Sequence, residues 1–141
     1  MMQMLAPMFA LFALTAVVVF RLAFLRFGAV RRREVDVRFY LSYQGSEEPD
    51  ALRIASRHVV NLFEAPVLFY VVWLTTYVTG QTTGLLVGLA WLYVLLRVAH
   101  SYVHLMHNVI IVRFRVFFLS WLVLIALWVV LGLQLVLAGG A

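Results

Sequence analysis

Two sets of polar residues stand inside otherwise apolar sequence at helical intervals. The first is Arg53, Arg57, Asn61 and Glu64, spaced four, four and three apart. The second is Tyr93, Arg97, His100, His104 and His107, spaced four, three, four and three apart. On a helix, residues at such intervals share one face. Ionisable groups within apolar spans are costly and are generally retained for function. Guanidinium, carboxylate, amide and imidazole groups on two facing helices could hold a small polar ligand through charge-assisted hydrogen bonds.

The elements that carry these sets are membrane spans. Of 141 residues, 65% are hydrophobic and 12% are charged, too few charges to cover a water-soluble globule of this size. Four apolar stretches predict an all-α, four-transmembrane-helix bundle forming a single domain over residues 1–141. Its helices fall at about 4–27, 51–79, 84–107 and 112–138. The first stretch has no basic residue before its apolar run and no small-x-small cleavage site, so it reads as a retained helix and not a signal peptide. Cysteine is absent, which excludes disulfides, thiolate metal sites and a cysteine nucleophile. Any thiol chemistry must arrive with a ligand.

Charge sets the expected topology. All basic side chains are arginine, and nine of them (21 and 97 aside: 26, 31, 32, 33, 38, 53, 57, 113 and 115) flank the first and third connections. None flanks the second, the uncharged turn from Gly80 to Gly84. The loop at about 28–50 turns acidic at Glu47, Glu48 and Asp50. The positive-inside rule places that loop in the cytoplasm and both termini on the other side. The net charge of +5 is thereby accounted for as an orientation signal, which argues against a nucleic-acid partner. Pro66 is expected to kink the second span and re-aim Glu64. Gly80, Gly84 and Gly88 read as turn glycines plus one close helix contact.

Depth follows from the shared turn. At 1.5 Å per residue, Glu64 lies roughly 24 Å from Gly80 and Arg97 roughly 20 Å from Gly84, so the two are expected to meet. The bland reading is a buried ion pair fixing register, with the other arginines snorkelling to the headgroups. It leaves a surplus, because one carboxylate cannot neutralise Arg57, Arg97 and Arg113 together. A buried excess of arginine implies a missing anion. A metal or haem site on His100, His104 and His107 has suitable spacing, but Arg97 one turn away would repel a cation.

The segments Arg57-His-Val-Val-Asn61-Leu-Phe-Glu64-Ala-Pro66 and Arg97-Val-Ala-His100-Ser-Tyr-Val-His104, with Arg113 following, resemble the MAPEG superfamily, the membrane-associated proteins in eicosanoid and glutathione metabolism. The resemblance spans about residues 50–135 and the order of the spans. It implies a homotrimer with glutathione bound as cosubstrate between neighbouring subunits. Arg57, Asn61 and Glu64 would hold the tripeptide's polar ends. Arg97, His100 and His104 would line the same pocket, and Arg113 would act catalytically near the sulfur. His104 stands where several members have tyrosine, and Arg21 and Arg26 do not align with the family's own first-helix arginines. The implied activity is conjugation or reduction of hydrophobic electrophiles or peroxides, the lipophilic substrate arriving from the membrane lipid. Rival expectations are a non-catalytic lipid- or anion-binding protein on the same fold, and a haem or metal protein using the third-span histidines. Small size and arginine-only basicity favour a bacterial inner membrane.

Overall fold

A computed structural model describes residues 2–43, 48–107 and 109–139, with side chains from residue 5 onward. Glu47 and Asn108 lie outside the described residues. The chain runs α1 (Met2–Arg31), a single-turn α2 (Phe39–Ser42), α3 (Asp50–Val78), α4 (Gly84–Tyr102), a π-helical turn (Val103–His107) and α5 (Ile110–Gly139). Four helices (α1, α3, α4 with its π turn, and α5) are long and apolar enough to cross a membrane. The protein is a multi-pass integral membrane protein.

Two helix ends show how the connections are made. Gly80, at φ +69°, ends α3: its N–H donates to Tyr77 O (3.2 Å) and Gln81 N–H donates to Thr76 O (3.1 Å). This is a Schellman motif, with glycine at the left-handed position it suits best. The same motif ends α1 with a non-glycine residue. Arg33 sits at φ 59°, and Glu34 N–H donates to Ala29 O at 3.0 Å. The paired Arg32 guanidinium holds the Glu34 carboxyl below the usual carboxylate range. On the far side of the turn, the Thr83 hydroxyl caps α4 by accepting from Leu86 N–H at 3.4 Å.

The helices pack α1 against α3 and α4, and α5 against α4 and α3. The main core holds Leu11, Phe69, Val72, Trp73, Leu86, Ala90, Tyr93, Leu124, Leu127 and Leu131. Phe69 stacks on Tyr93 with centroids 4.8 Å apart and planes at 9°. These rings fill the space between α3 and α4 toward the Gly80 turn. At the arginine-rich end the fill is smaller, a cluster of Leu22, Ala29, Val35, Phe39, Leu52 and Ala55. There Arg26 is bound into the architecture: it donates to Ser56 Oγ (3.2 Å), lies over the Tyr40 ring (5.0 Å) and approaches Glu48 (3.8 Å). Helix α3 continues through Pro66. A Cβ built on Gly84 or Gly88 would meet nothing within 4 Å, so the close helix contact expected at these glycines is not made within the chain.

Candidate functional site

Helix α3 buries the residues Leu52, Ala55, His58, Leu62, Ala65, Phe69, Val72 and Thr76. That stripe lies beside the polar one picked out by spacing. Arg57 and Glu64 are exposed on the outside of the bundle, with Asn61 half-buried between the two stripes. Glu64 and Arg97 do not form the expected pair: among the described residues no ion pair involves either. Rotation about the helix axis turns Glu64 outward, and Arg97 meets the main chain of Asn61 instead.

On α4 the polar stripe does face inward. Tyr93 and Arg97 are fully buried, and His100 and His104 are 3% and 4% exposed. The Arg97 guanidinium donates from Nη2 to Asn61 O at 3.1 Å and lies 5.9 Å from the Phe117 ring centroid. Its Nε and Nη1 are buried without a hydrogen-bond partner among the described residues. The π turn then adds one residue to the helical repeat and breaks the spacing. His104 stays inside, whereas His107 is exposed and sits 3.4 Å from the Tyr102 hydroxyl. π turns of this kind occur often at functional sites.

His58 takes the place that His107 leaves. It is fully buried, with Nδ1 3.1 Å from His104 Nδ1 and Nε2 2.8 Å from Ser101 Oγ. Ser101 Oγ donates in turn to Arg97 O at 2.8 Å. The His100 ring lies 5.5 Å from both the His58 and the His104 rings, and its Nδ1 is 3.3 Å from Arg113 O. Sequence reasoning passed over His58, since it is out of phase with Arg57 and Asn61. The signal that could have found it is its phase with Ala55, Leu62, Ala65 and Phe69.

A cleft of about 280 Å³ opens beside this cluster, lined by Arg57 and Asn61 from α3, His100 from α4, His104 from the π turn, and Ile110, Arg113, Phe114 and Phe117 from α5. Of the seven residues to which the resemblance assigned a role, five line it. Arg97 is buried behind the wall and Glu64 faces outward. The lining combines cationic and polar groups with aliphatic and aromatic ones, so the cleft can receive an anionic head and an oily partner together. A metal ion would be held by His58, His100 and His104, which each offer a ring nitrogen within 4.8 Å of the others. Arg57 and Arg113 in the wall and Arg97 behind it set positive charge against a cation there.

The fold and site define a class: a four-helix membrane protein with a cationic cleft, open beside an apolar wall, at the arginine-rich end of the bundle. A model of the MAPEG family matches residues 4–133, nearly the whole chain, and the protein belongs to the MAPEG family. No curated protein and no solved structure matches it.

Proposed function

We propose that this protein is a glutathione-binding membrane enzyme that conjugates or reduces hydrophobic electrophiles or peroxides by thiolate attack. The observation that carries this reading is the cleft itself: two arginines, an asparagine and two histidines stand against Ile110, Phe114 and Phe117 in a chain of the MAPEG family. Glutathione brings two carboxylates, and arginine binds carboxylate through paired donors. Arg57 and Asn61 receive the carboxylates and amides. Arg113 faces the sulfur, where its positive charge favours thiolate over thiol and stabilises charge developing in the transition state. Sulfur then bonds to the electrophilic carbon, and the leaving group departs with its electron pair. With a peroxide, sulfur bonds to one oxygen as the O–O bond breaks, the other oxygen leaves with the electron pair and takes up a proton as an alcohol, and a second glutathione then displaces water from the sulfenic sulfur to give the disulfide. The lipophilic substrate enters from the bilayer along the phenylalanine wall.

The outward face of α3 supports a trimeric assembly. Glu64 is exposed at the middle of a membrane-spanning helix, and Arg57 is exposed two turns nearer its arginine-rich end. A carboxylate facing hydrocarbon is expensive. A neighbouring copy with glutathione at the seam covers both residues and gives the glutathione ammonium a partner in Glu64. The arginine-rich end faces the cytoplasm, placing both termini on the opposite side of a bacterial inner membrane.

Calorimetric titration of detergent-solubilised protein with glutathione tests this reading. Binding is expected, and Arg57→Ala and Arg113→Ala are each expected to weaken it roughly 10- to 100-fold, the range for losing a charge-assisted bond. Folded wild-type protein that gives no heat at millimolar glutathione would overturn the assignment.

A further inference from the structure

The hydrogen-bond chain through the histidine cluster fixes where its protons sit. The Ser101 hydroxyl has one proton, and it is spent on Arg97 O at 2.8 Å. Ser101 Oγ therefore accepts from His58 Nε2–H at 2.8 Å, which leaves Nδ1 of the neutral His58 ring bare. His104 Nδ1, 3.1 Å away, must then be the donor to His58 Nδ1. Independently, the Arg113 backbone carbonyl can only accept, so His100 donates to it from Nδ1 at 3.3 Å, and the neutral His100 ring is bare at Nε2. That nitrogen is buried and has no hydrogen-bond partner among the described residues. It belongs to a ring that is 3% exposed and that lines the cleft.

A bare imidazole nitrogen repels a carboxylate oxygen or a thiolate, lone pair against lone pair. It calls for a donor. His100 is held by the main chain of Arg113, the residue whose side chain is assigned to the sulfur, so the donor it meets is the thiol. Resting on the glutathione reading above, we propose that His100 Nε2 is the catalytic proton acceptor for the bound thiol. The S–H bond breaks, its electron pair stays on sulfur, and the proton forms Nε2–H on His100. His100 becomes an imidazolium still bonded through Nδ1–H to Arg113 O. Charge is conserved within the cleft, since one cation and one anion appear side by side. The charged and titratable groups around His100 are Arg57 and His58 from α3, Arg97 from α4, His104 from the π turn, and Arg113 from α5. The arginines oppose the imidazolium and attract the thiolate. The role of His58 is to hold His104: the Ser101–His58–His104 chain fixes that ring, as Arg113 O fixes His100.

Histidine-¹⁵N spectra of the full-length protein in lipid test this proposal without a substitution. Free protein is expected to show His100 and His104 protonated at Nδ1 and His58 at Nε2. Saturating glutathione should protonate His100 at both nitrogens. Saturating S-methylglutathione, which fills the same cleft without a thiol proton, should leave His100 singly protonated. In parallel, the ultraviolet absorbance of thiolate in the saturated complex at neutral pH should be lost in His100→Gln, and turnover should fall by about 100-fold or more, the usual contribution of a positioned acid or base. Identical His100 spectra with the two ligands, or a thiolate band and pH profile unchanged in His100→Gln, would overturn the proton-acceptor role and leave glutathione binding standing. One metal ion per chain, lost in His58→Asn, would also overturn it, because the nitrogen would then be occupied. If neither tripeptide binds, this role falls together with the glutathione reading.

Discussion

Helices α3 and α4 each carry a polar stripe at the same spacing and similar depth, yet the structure treats them in opposite ways. The α4 stripe of Tyr93, Arg97, His100 and His104 is buried to within a few per cent of total. The α3 stripe of Arg57, Asn61 and Glu64 is turned a step to the side, and the interior is reached instead by His58. Polar periodicity in a membrane helix thus marks one face without saying which way that face points. On α4 it points at the core, where Tyr93 stacks on Phe69 and Arg97 reaches the α3 backbone. On α3 it points at the cleft and at whatever adjoins the protomer.

The contrast makes substitutions on the two helices diverge, and thermal unfolding in detergent measures it. Tyr93→Ala is expected to have the largest effect, a loss of about 3–5 kcal/mol, because a fully buried aromatic leaves a cavity. A loss below about 1 kcal/mol would mean the inward placement of the α4 stripe is wrong. His58→Ala is next, at about 1–3 kcal/mol, since it strands the buried His104 Nδ1–H and removes a donor from Ser101. Its neighbour Arg57→Ala should stay within about 0.5 kcal/mol of wild type in stability, while weakening glutathione binding as stated above. Equal destabilisation by the two would erase the distinction between the adjacent stripes. Glu64→Gln should have the smallest effect on the fold of the protomer, also within about 0.5 kcal/mol. Its consequence is expected in assembly and ligand affinity, read by native mass spectrometry and calorimetry. A large loss of protomer stability would place Glu64 in an internal pair after all.

The π turn explains a second divergence. Regular spacing carries His107 onto the face of His100 and His104, whereas the π turn at Val103–His107 leaves it outside. The histidine cluster therefore draws its third member from α3. Nothing in the residue types Val-His-Leu-Met-His marks a π turn, since it arises where the end of α4 must meet both α3 and the start of α5. The family motifs were legible because they are short and local, and they contain most of the cleft: Arg57, Asn61, His100, His104 and Arg113. His58 stands within the first motif but out of phase with Arg57 and Asn61, and its burial marks it as an inward position.

Composition and periodicity by themselves determined that the chain lives in a membrane, that it crosses four times, that one end collects the arginines, and that two helices carry polar stripes. These are properties of single segments, set by transfer of side chains into hydrocarbon and by the 3.6-residue repeat. Only the tertiary structure decided the rotation of α3 about its axis, and with it that His58 is in and Glu64 is out. In water, the contrast between an apolar core and a polar surface would have settled that rotation. In lipid, apolar residues suit both the core and the outside, so packing decides. Here Phe69, Trp73 and Tyr93 fill the space between α3 and α4, and small residues at Ala55 and Ser101 accompany the histidines where the π turn meets α3.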